Sequence, residues 1–324
     1  MSDNVNRIST LRKKDFPITD HNHGKARVRV LKVDKSSSVH KVYEYTVQTK
    51  VWSPKYELAF SKEDNTDLVA TDTQKNTVYV VAKRTKANSP EQFGLDLCLQ
   101  FMNEYNVLTA AEATVEMCQW ERAIVDGERH DHGFEKHSPE VQVAVVKIER
   151  KSDDDDSATG DCYTTSVTSF IQKMTILKTT QSGFEGYLKD KYTLLPETTE
   201  RCVATELDCT WTYTLDQDGM TASFSELDYV DIRSRIRELL IKGIFGPAKG
   251  GVYSASLQAT IYDAACLILE DEKLACVHSV KLYTPNLHYL PMKSLEMLGE
   301  TFEDDVFIPT SEPSGTITCT VCRE

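Results

Sequence analysis

Two side chains in one polar stretch of the sequence, Phe184 and Arg201, are of types that together can bind a flat polar heterocycle. The stretch covers residues 178–201 and reads K-T-T-Q-S-G-F-E-G-Y-L-K-D-K-Y-T-L-L-P-E-T-T-E-R. A guanidinium offers paired N–H donors to a planar edge of carbonyl and nitrogen acceptors, and an aromatic ring covers the face of the same ligand. Taken singly, a phenylalanine is more often a core residue and an arginine more often part of a surface ion pair, so further residues are needed to define a site.

Length and composition are those of an ordinary globular protein. The 324 residues suffice for two medium domains with a substantial core, without disulfides or metal ions to hold them. The formal charge of −13, from 37 Lys and Arg against 50 Asp and Glu, opposes a nucleic-acid partner. The nine cysteines, an odd number, indicate reduced thiols in an intracellular compartment rather than a disulfide framework.

The sequence shows neither a membrane span nor a secretory signal. No stretch approaches the roughly 18 apolar residues that a membrane-spanning helix needs. The first twenty-odd residues lack the apolar centre of a signal peptide, so we expect a soluble protein that is not secreted. Residues 1–22 are also too polar to offset the entropy lost on ordering, and they are predicted to form a flexible tail.

Four strands and a helical region are predicted in the first half of the chain. The strands are residues 27–33, 43–47, 108–120 and 141–148, with a polar turn region between the last two. Tyr43, Tyr45 and Val47 alternate with polar residues, which is typical of a half-buried antiparallel strand. Ser89 followed by Pro90 and, two positions later, by a glutamine predicts the start of a helix.

The same order of elements is predicted again in the second half. The strands are residues 162–178, 204–214, 274–283 and 316–322, with two helices between the second and the third. Tyr229, Ile232 and Ile236 have the spacing of one face of a helix, and Ser254 is predicted to cap the next helix. A repeated order of elements indicates internal duplication.

An acidic run at residues 153–156 is predicted to be a solvated linker between two domains, because it has no apolar face and concentrates like charge. The predicted divisions are a tail at 1–22, a first domain at 23–156 and a second domain at 157–324. A small sheet with helices on a single face leaves its other face and both edges uncovered. Association with further copies of the chain would cover them.

Four further segments accompany the 178–201 stretch, and the five together resemble the urate oxidase (uricase) family. The four are H-G-K-A-R-V-R-V with Lys25, V-A-T-D-T-Q-K-N-T with Thr71, S-A-S-L-Q-A-T with Gln258, and P-N-L-H-Y with Asn286 and His288. Each segment is weak alone, but all five occur in the family's order and span nearly the whole chain.

The resemblance implies an α+β fold of two tandem tunnelling-fold (T-fold) domains, each an antiparallel four-stranded sheet with two helices on one face. It further implies a homotetramer whose sheets close into a tunnel-shaped barrel, with active sites between subunits. The family oxidises urate with dioxygen and water to 5-hydroxyisourate and hydrogen peroxide, using neither a metal nor an organic cofactor. No nucleic acid or membrane is expected as a partner.

Site residues follow from the same resemblance. The substrate would be held by Asp72, Phe184, Arg201, Leu257, Gln258 and Asn286, the last of which would also hold oxygen and the attacking water above the ring. Lys25, Thr71 and His288 would be catalytic and would carry a proton away from bound urate. Lys25 can accept that proton only as a neutral amine, which requires burial or a neighbouring cation. The hydroxyl of Thr71 donates and accepts at once, so it would relay the proton.

Two other functions fit parts of the pattern. A different purine or pterin T-fold enzyme, such as a cyclohydrolase, would need additional metal ligands or an acidic anchor, and neither stands at a convincing position. A non-catalytic purine-binding protein would not require both Lys25 and Thr71. A peroxisomal location is implied by the family, although the chain ends V-C-R-E rather than in an S-K-L-type tripeptide, and a cytoplasmic location is the alternative.

Two other patterns are predicted to have no role in chemistry. Cys319 and Cys322 form a lone CxxC with no second pair to complete a metal site. A cluster of polar residues, with histidines at 130, 132 and 137 and an aspartate at 131, is predicted to be solvated in the turn region.

Overall fold

The structure, a computed structural model, describes residues 16–151, 163–214 and 221–324. The acidic run at 153–156 lies outside the described residues, as does most of the predicted N-terminal tail, so the linker and the domain boundary stay predictions. Within the described ranges no helix is long and apolar enough to cross a lipid bilayer.

Eleven strands and six α-helices make up the described fold. The strands are β1 (His23–Asp34), β2 (Lys41–Trp52), β3 (Ala110–Cys118), β4 (Glu121–Val125), β5 (Glu128–Glu135), β6 (Val141–Arg150), β7 (Tyr163–Lys178), β8 (Val203–Tyr213), β9 (Val277–Pro291), β10 (Phe307–Thr310) and β11 (Thr316–Cys322). The helices are α1 (Glu57–Ser61), α2 (Thr71–Arg84), α3 (Pro90–Glu104), α4 (Thr221–Glu226), α5 (Tyr229–Phe245) and α6 (Leu257–Glu270).

Nine of the strands form one antiparallel sheet in the order β1-β2-β3-β6-β7-β8-β9, with β10 and β11 both on the outer edge of β9. The sheet is continuous across the two halves of the chain because β6 pairs with β7, which places Val146 opposite Val167. Each half contributes strand, strand, two long helices, strand and strand. The predicted α+β class and the repeated order of elements are therefore confirmed.

The core lies between the sheet and its helices. Tyr45 and Val47 of β2 are fully buried, as their alternation predicts, whereas Tyr43 is only partly buried. Phe93 of α3 stacks on Tyr45 with ring centroids 4.6 Å apart. The helix start predicted at Ser89 is also confirmed, since its side chain accepts a hydrogen bond from the main-chain N–H of residue 92.

The start of α6 differs from the prediction by two residues. Ser256, not Ser254, is the N-cap, and its hydroxyl accepts from Ala259 N over 3.2 Å. An N-cap immediately precedes the first helical residue, and two serines separated by one alanine offer the sequence no way to choose between them. Ser254 instead bonds to the carbonyl of Ser256 and to the hydroxyl of Thr260.

The polar turn region predicted between β3 and β6 is a two-stranded hairpin, β4 and β5. Its side chains are mostly polar and little buried, so the sequence lacks the alternation that would reveal strands. Arg122 holds the hairpin by donating to the carbonyls of His130 and Asp131 over 2.9 and 2.7 Å. In the described part of the chain, no group of three or more His, Cys, Asp and Glu side chains is placed to hold a metal ion.

A buried ion pair joins the helices of the two halves. Glu91 of α3 is fully buried and pairs with the guanidinium of Arg233 on α5. The hydroxyl of Ser169 donates to the same carboxylate over 2.6 Å and bonds to the Tyr213 hydroxyl over 2.8 Å. The Arg233 guanidinium also lies 5.0 Å from the ring centroid of Trp211. Because the two charges compensate each other, loss of either one would leave an uncompensated buried charge.

Candidate active site

The loop between β7 and β8 folds back onto the segment that precedes α6. Gly183 N donates to Ser254 O over 2.9 Å, and Phe184 N donates to Thr198 O over 2.7 Å. Close packing at residue 183 leaves little room for a side chain, because a Cβ there would lie 3.0 Å from Thr198 O and 2.1 Å from the hydroxyl oxygen of Tyr253. The loop thus brings Phe184 close to the start of α6 before the chain enters β8.

Phe184 and Arg201 lie together at the base of this loop. The guanidinium carbon of Arg201 is 5.4 Å from the ring centroid of Phe184. The ring of Tyr187 also stacks on Phe184, with 4.8 Å between the ring centroids and 10° between the ring planes. Burial lowers the pKa of Arg201, although an arginine so placed still carries its charge. Among the described residues the buried Nε of Arg201 has no acceptor. A buried, charged donor beside an aromatic ring suits a planar anion.

The first turn of α6 lies beside the pair, because Ser254 is bonded to the Phe184 loop. Leu257, its first residue, is buried, whereas Gln258 is exposed and free to reach a ligand. Main-chain N–H groups at the start of a helix have no partner within the helix and attract negative charge. The element therefore adds donors and a favourable field for an anion.

Asn286 and His288 lie on β9, which extends eight residues beyond its predicted end at 283 and starts at Val277 rather than 274. The two residues are two positions apart and share a face of the strand. Asn286 is opposite Thr205 of β8, and its buried Oδ1 has no donor in the described part of the chain. His288 is opposite Thr310 of β10 and is partly buried.

Lys25 lies on the edge strand β1, opposite Thr49 of β2. A bulge interrupts the pairing between Lys25 and Val28, and Arg27 within it has a left-handed backbone with φ of 58°. Bulges re-aim the side chains next to them. The main-chain N–H of Lys25 donates to the Thr49 hydroxyl over 3.3 Å, which fixes the strand just before the irregularity.

Thr71 and Asp72 form the start of α2, where Ala70 is the N-cap and contributes no side-chain bond. The carboxylate of Asp72 accepts from Lys75 over 2.5 Å and from Asn76 over 2.9 Å. The bond from Lys75 is the main cause of the lowered pKa of Asp72, and the charge of Lys25 adds to it. Lys25 and the first turn of α2 are therefore neighbours.

The predicted site residues fall into two sets within one chain. The first set is Lys25, Thr71 and Asp72, and the second is Phe184, Arg201, Leu257, Gln258, Asn286 and His288. Among the described residues, no hydrogen bond or ion pair joins the two sets. Each set is half of the predicted site.

Comparison with known proteins identifies the family. The family model Uricase matches residues 21–147 and 167–318. The chain belongs to the uricase family. It is 38% identical to Uricase-2 isozyme 2 of Glycine max over 312 residues, covering 94% of both proteins, and 31% identical to the uricase of Oryctolagus cuniculus over 317 residues, covering 98% of both.

Solved uricases share the fold. The crystal structure of the uricase from Arthrobacter globiformis is 29% identical and superposes with a TM-score of 0.80 over 96% of both chains. The family resemblance and the fold class predicted from the sequence are thus confirmed. Closure of the sheets into a barrel concerns several copies, and it stays a prediction.

Three buried polar residues were not predicted from the sequence, although two of them, Gln74 and Lys178, lie within the uricase-like segments. Gln74 and Thr49 are buried and bonded to each other next to Lys25 and Thr71. Thr49 continues the buried alternation of β2, so a polar residue on an apolar face was a usable signal. Lys178 is nearly buried, donates to the carbonyl of Val252 and has a pKa lowered by desolvation. Its position on a strand gave no comparable signal.

Proposed function

We propose that the chain oxidises urate with dioxygen and water to 5-hydroxyisourate and hydrogen peroxide, at sites that each combine residues of two copies. Membership of the uricase family supports the reaction. The observation that supports the site most strongly is the partly buried Arg201 guanidinium, 5.4 Å from the Phe184 ring centroid, whose buried Nε has no acceptor among the described residues. Atoms and electrons balance in this reaction because the oxygen of water enters the purine, and dioxygen takes up two electrons and two protons and leaves as hydrogen peroxide.

In this proposal the second set of residues binds the purine anion. Arg201 and Gln258 hold one polar edge through paired hydrogen bonds, and Phe184 covers the face of the ring. The main chain near Leu257, and near Asp72 of the other copy, completes the plane. Asn286 lies on β9 with a buried Oδ1 that has no donor among the described residues, and it would hold dioxygen and then water above the ring.

The first set of residues, together with His288, would move protons. Removing a further proton from bound urate makes the ring electron-rich, and an electron-rich ring can reduce dioxygen. Thr71 can accept the proton and pass its own hydroxyl hydrogen to Lys25. Burial of Lys25 by the second copy would favour the neutral amine that this step needs. His288 would join the relay from the copy that binds the purine.

Assembly is required because neither set is a complete site. Among the described residues, β1 pairs only with β2 and β11 only with β9, so both outer strands have free hydrogen-bonding edges. Leu31 on β1 is 58% exposed, and Leu188 and Leu194 on the Phe184 loop are each 94% exposed. Exposed apolar side chains on free edges and beside a half-site favour burial against another copy. A homotetramer with a tunnel-shaped barrel satisfies these requirements.

A direct test is to incubate the purified, metal-stripped protein with urate and dioxygen. The proposal predicts loss of the urate absorbance and formation of one hydrogen peroxide per urate, with no gain when metals are added back. Urate that stays unchanged with the assembled, folded protein would contradict it and would favour the alternative of a purine-binding protein without catalysis. The peroxisomal or cytoplasmic location stays a prediction.

A further inference from the structure

One buried amide side chain bonds to the backbone near both groups of the proposed relay. Gln74 lies on α2, three residues after Thr71, and has no exposed surface. Thr49, on the inner face of β2, is 1% exposed. Burying polar side chains is costly unless they are hydrogen-bonded, so their bonds indicate what they stabilise.

Every polar group of the two side chains is used. Gln74 Oε1 accepts from Thr49 Oγ1 over 2.8 Å, and Gln74 Nε2 donates to Val69 O over 3.2 Å and to His23 O over 3.4 Å. The Thr49 hydroxyl accepts in turn from Lys25 N over 3.3 Å. An amide has one acceptor oxygen and two donor hydrogens, so this set satisfies it.

These bonds end at the backbone of His23 and Lys25 and at Val69, just before Thr71. His23 and Lys25 flank Gly24, whose absent side chain permits close packing, since a Cβ there would lie 2.1 Å from Thr49 O. Val69 lies two residues before Thr71, the first residue of α2. The regular ladder is interrupted after Lys25 by the bulge, so ladder bonds alone leave its position weakly fixed on that side.

We propose that Gln74 and Thr49 are positioning residues that hold Lys25 and Thr71 at the separation needed for proton transfer. The inference rests on the proposed relay. Neither side chain needs to touch urate, and both lie away from the Phe184 and Arg201 pair. Their loss should therefore slow turnover while leaving purine binding nearly unchanged.

The matched variants are Thr49→Val, which keeps the shape and removes the hydroxyl, and Thr49→Ser, which keeps the hydroxyl. Misplacement of reacting groups by about 1 Å can cost on the order of 10²-fold in rate. We expect Thr49→Val and Gln74→Met each to lower kcat by about 10- to 100-fold with KM for urate within about threefold. Thr49→Ser should recover most of the turnover. Because the two residues act on one step, the double variant should lose no more than the worse single one.

Two measurements separate positioning from a merely structural role. Xanthine, as a planar purine probe, should bind each variant within about threefold of wild type, and sedimentation should show the same assembly. The pH profile of kcat should shift in Thr49→Val and return in Thr49→Ser, because the hydroxyl helps to position Lys25, which accepts the proton. A loss of turnover that comes with equal losses of xanthine binding and of assembly would overturn the inference.

The outcomes also distinguish this inference from the function. A wild-type protein that does not oxidise urate would refute the proposed function. An active wild type with unchanged kcat in Thr49→Val and in Gln74→Met would refute only the positioning role. If Thr49→Val does not fold, Thr49→Ala also removes the hydroxyl, and wild-type turnover in that variant would overturn the inference.

Discussion

Replacing Arg201 with lysine is expected to weaken urate binding far more than it slows the reaction. The variant keeps the positive charge but loses the planar fork and the contact with the Phe184 ring at 5.4 Å. One charge-assisted hydrogen bond contributes about 2 kcal/mol and a partly exposed cation–π contact about 0.5–1 kcal/mol. The sum of about 3 kcal/mol corresponds to a factor on the order of 10² in affinity.

The assay is steady-state loss of urate absorbance at saturating dioxygen. We expect KM for Arg201→Lys to rise by about 100-fold, with kcat changed by less than about fivefold because Lys25 and Thr71 remain in place. Arg235→Lys is the matched control, since Arg235 pairs with Asp271 and Glu238 at the surface. A wild-type KM in Arg201→Lys would refute the reasoning that the planar fork of a partly buried arginine binds the anion.

Three further expectations follow from the structure. Lys25→Met should lose most turnover while xanthine still binds, and equal turnover to wild type would contradict the relay. Arg233→Met should lower the free energy of unfolding in urea by about 3–5 kcal/mol, because it leaves the Glu91 carboxylate buried without its partner, and an unchanged midpoint would contradict this. The bond from Lys75 lowers the pKa of Asp72, so the folded state binds fewer protons than the unfolded state, and this stabilisation is present above about pH 4 and lost as pH falls further. Asp72→Asn should therefore show a flatter acid dependence of Tm than wild type, and identical acid limbs would count against it.

Much of the fold could be predicted because its signals are local. The alternation around Tyr45 identifies a buried strand face, and the serine and proline before α3 define its start. The hairpin of β4 and β5 could not be predicted in the same way, because its polar side chains carry no burial pattern and its stability comes from Arg122 donating to backbone carbonyls. The start of α6 was misplaced because Ser254 and Ser256 are both suitable cap residues, and only the folded backbone decides which of them precedes the helix.

The candidate site could be predicted only in part. Phe184 and Arg201 are distinctive residue types, and the structure brings them together through the folded loop. The role of Gln74 could not be predicted, because it depends on a hydrogen bond from Thr49. Thr49 lies on β2, and the two side chains come into contact only in the folded chain. Contacts between elements distant in sequence are set by register and packing, and a single sequence does not display either.

The proposal that each site combines two copies is tested most directly by mixing two inactive variants. Lys25→Met disables one half-site and Arg201→Ala disables the other, so each pure variant should be nearly inactive. After the two are unfolded together and reassembled, an interface between the intact halves of different chains should be active. With random association, about one quarter of the sites should regain function. No recovery in particles shown to contain both variants would contradict a shared site.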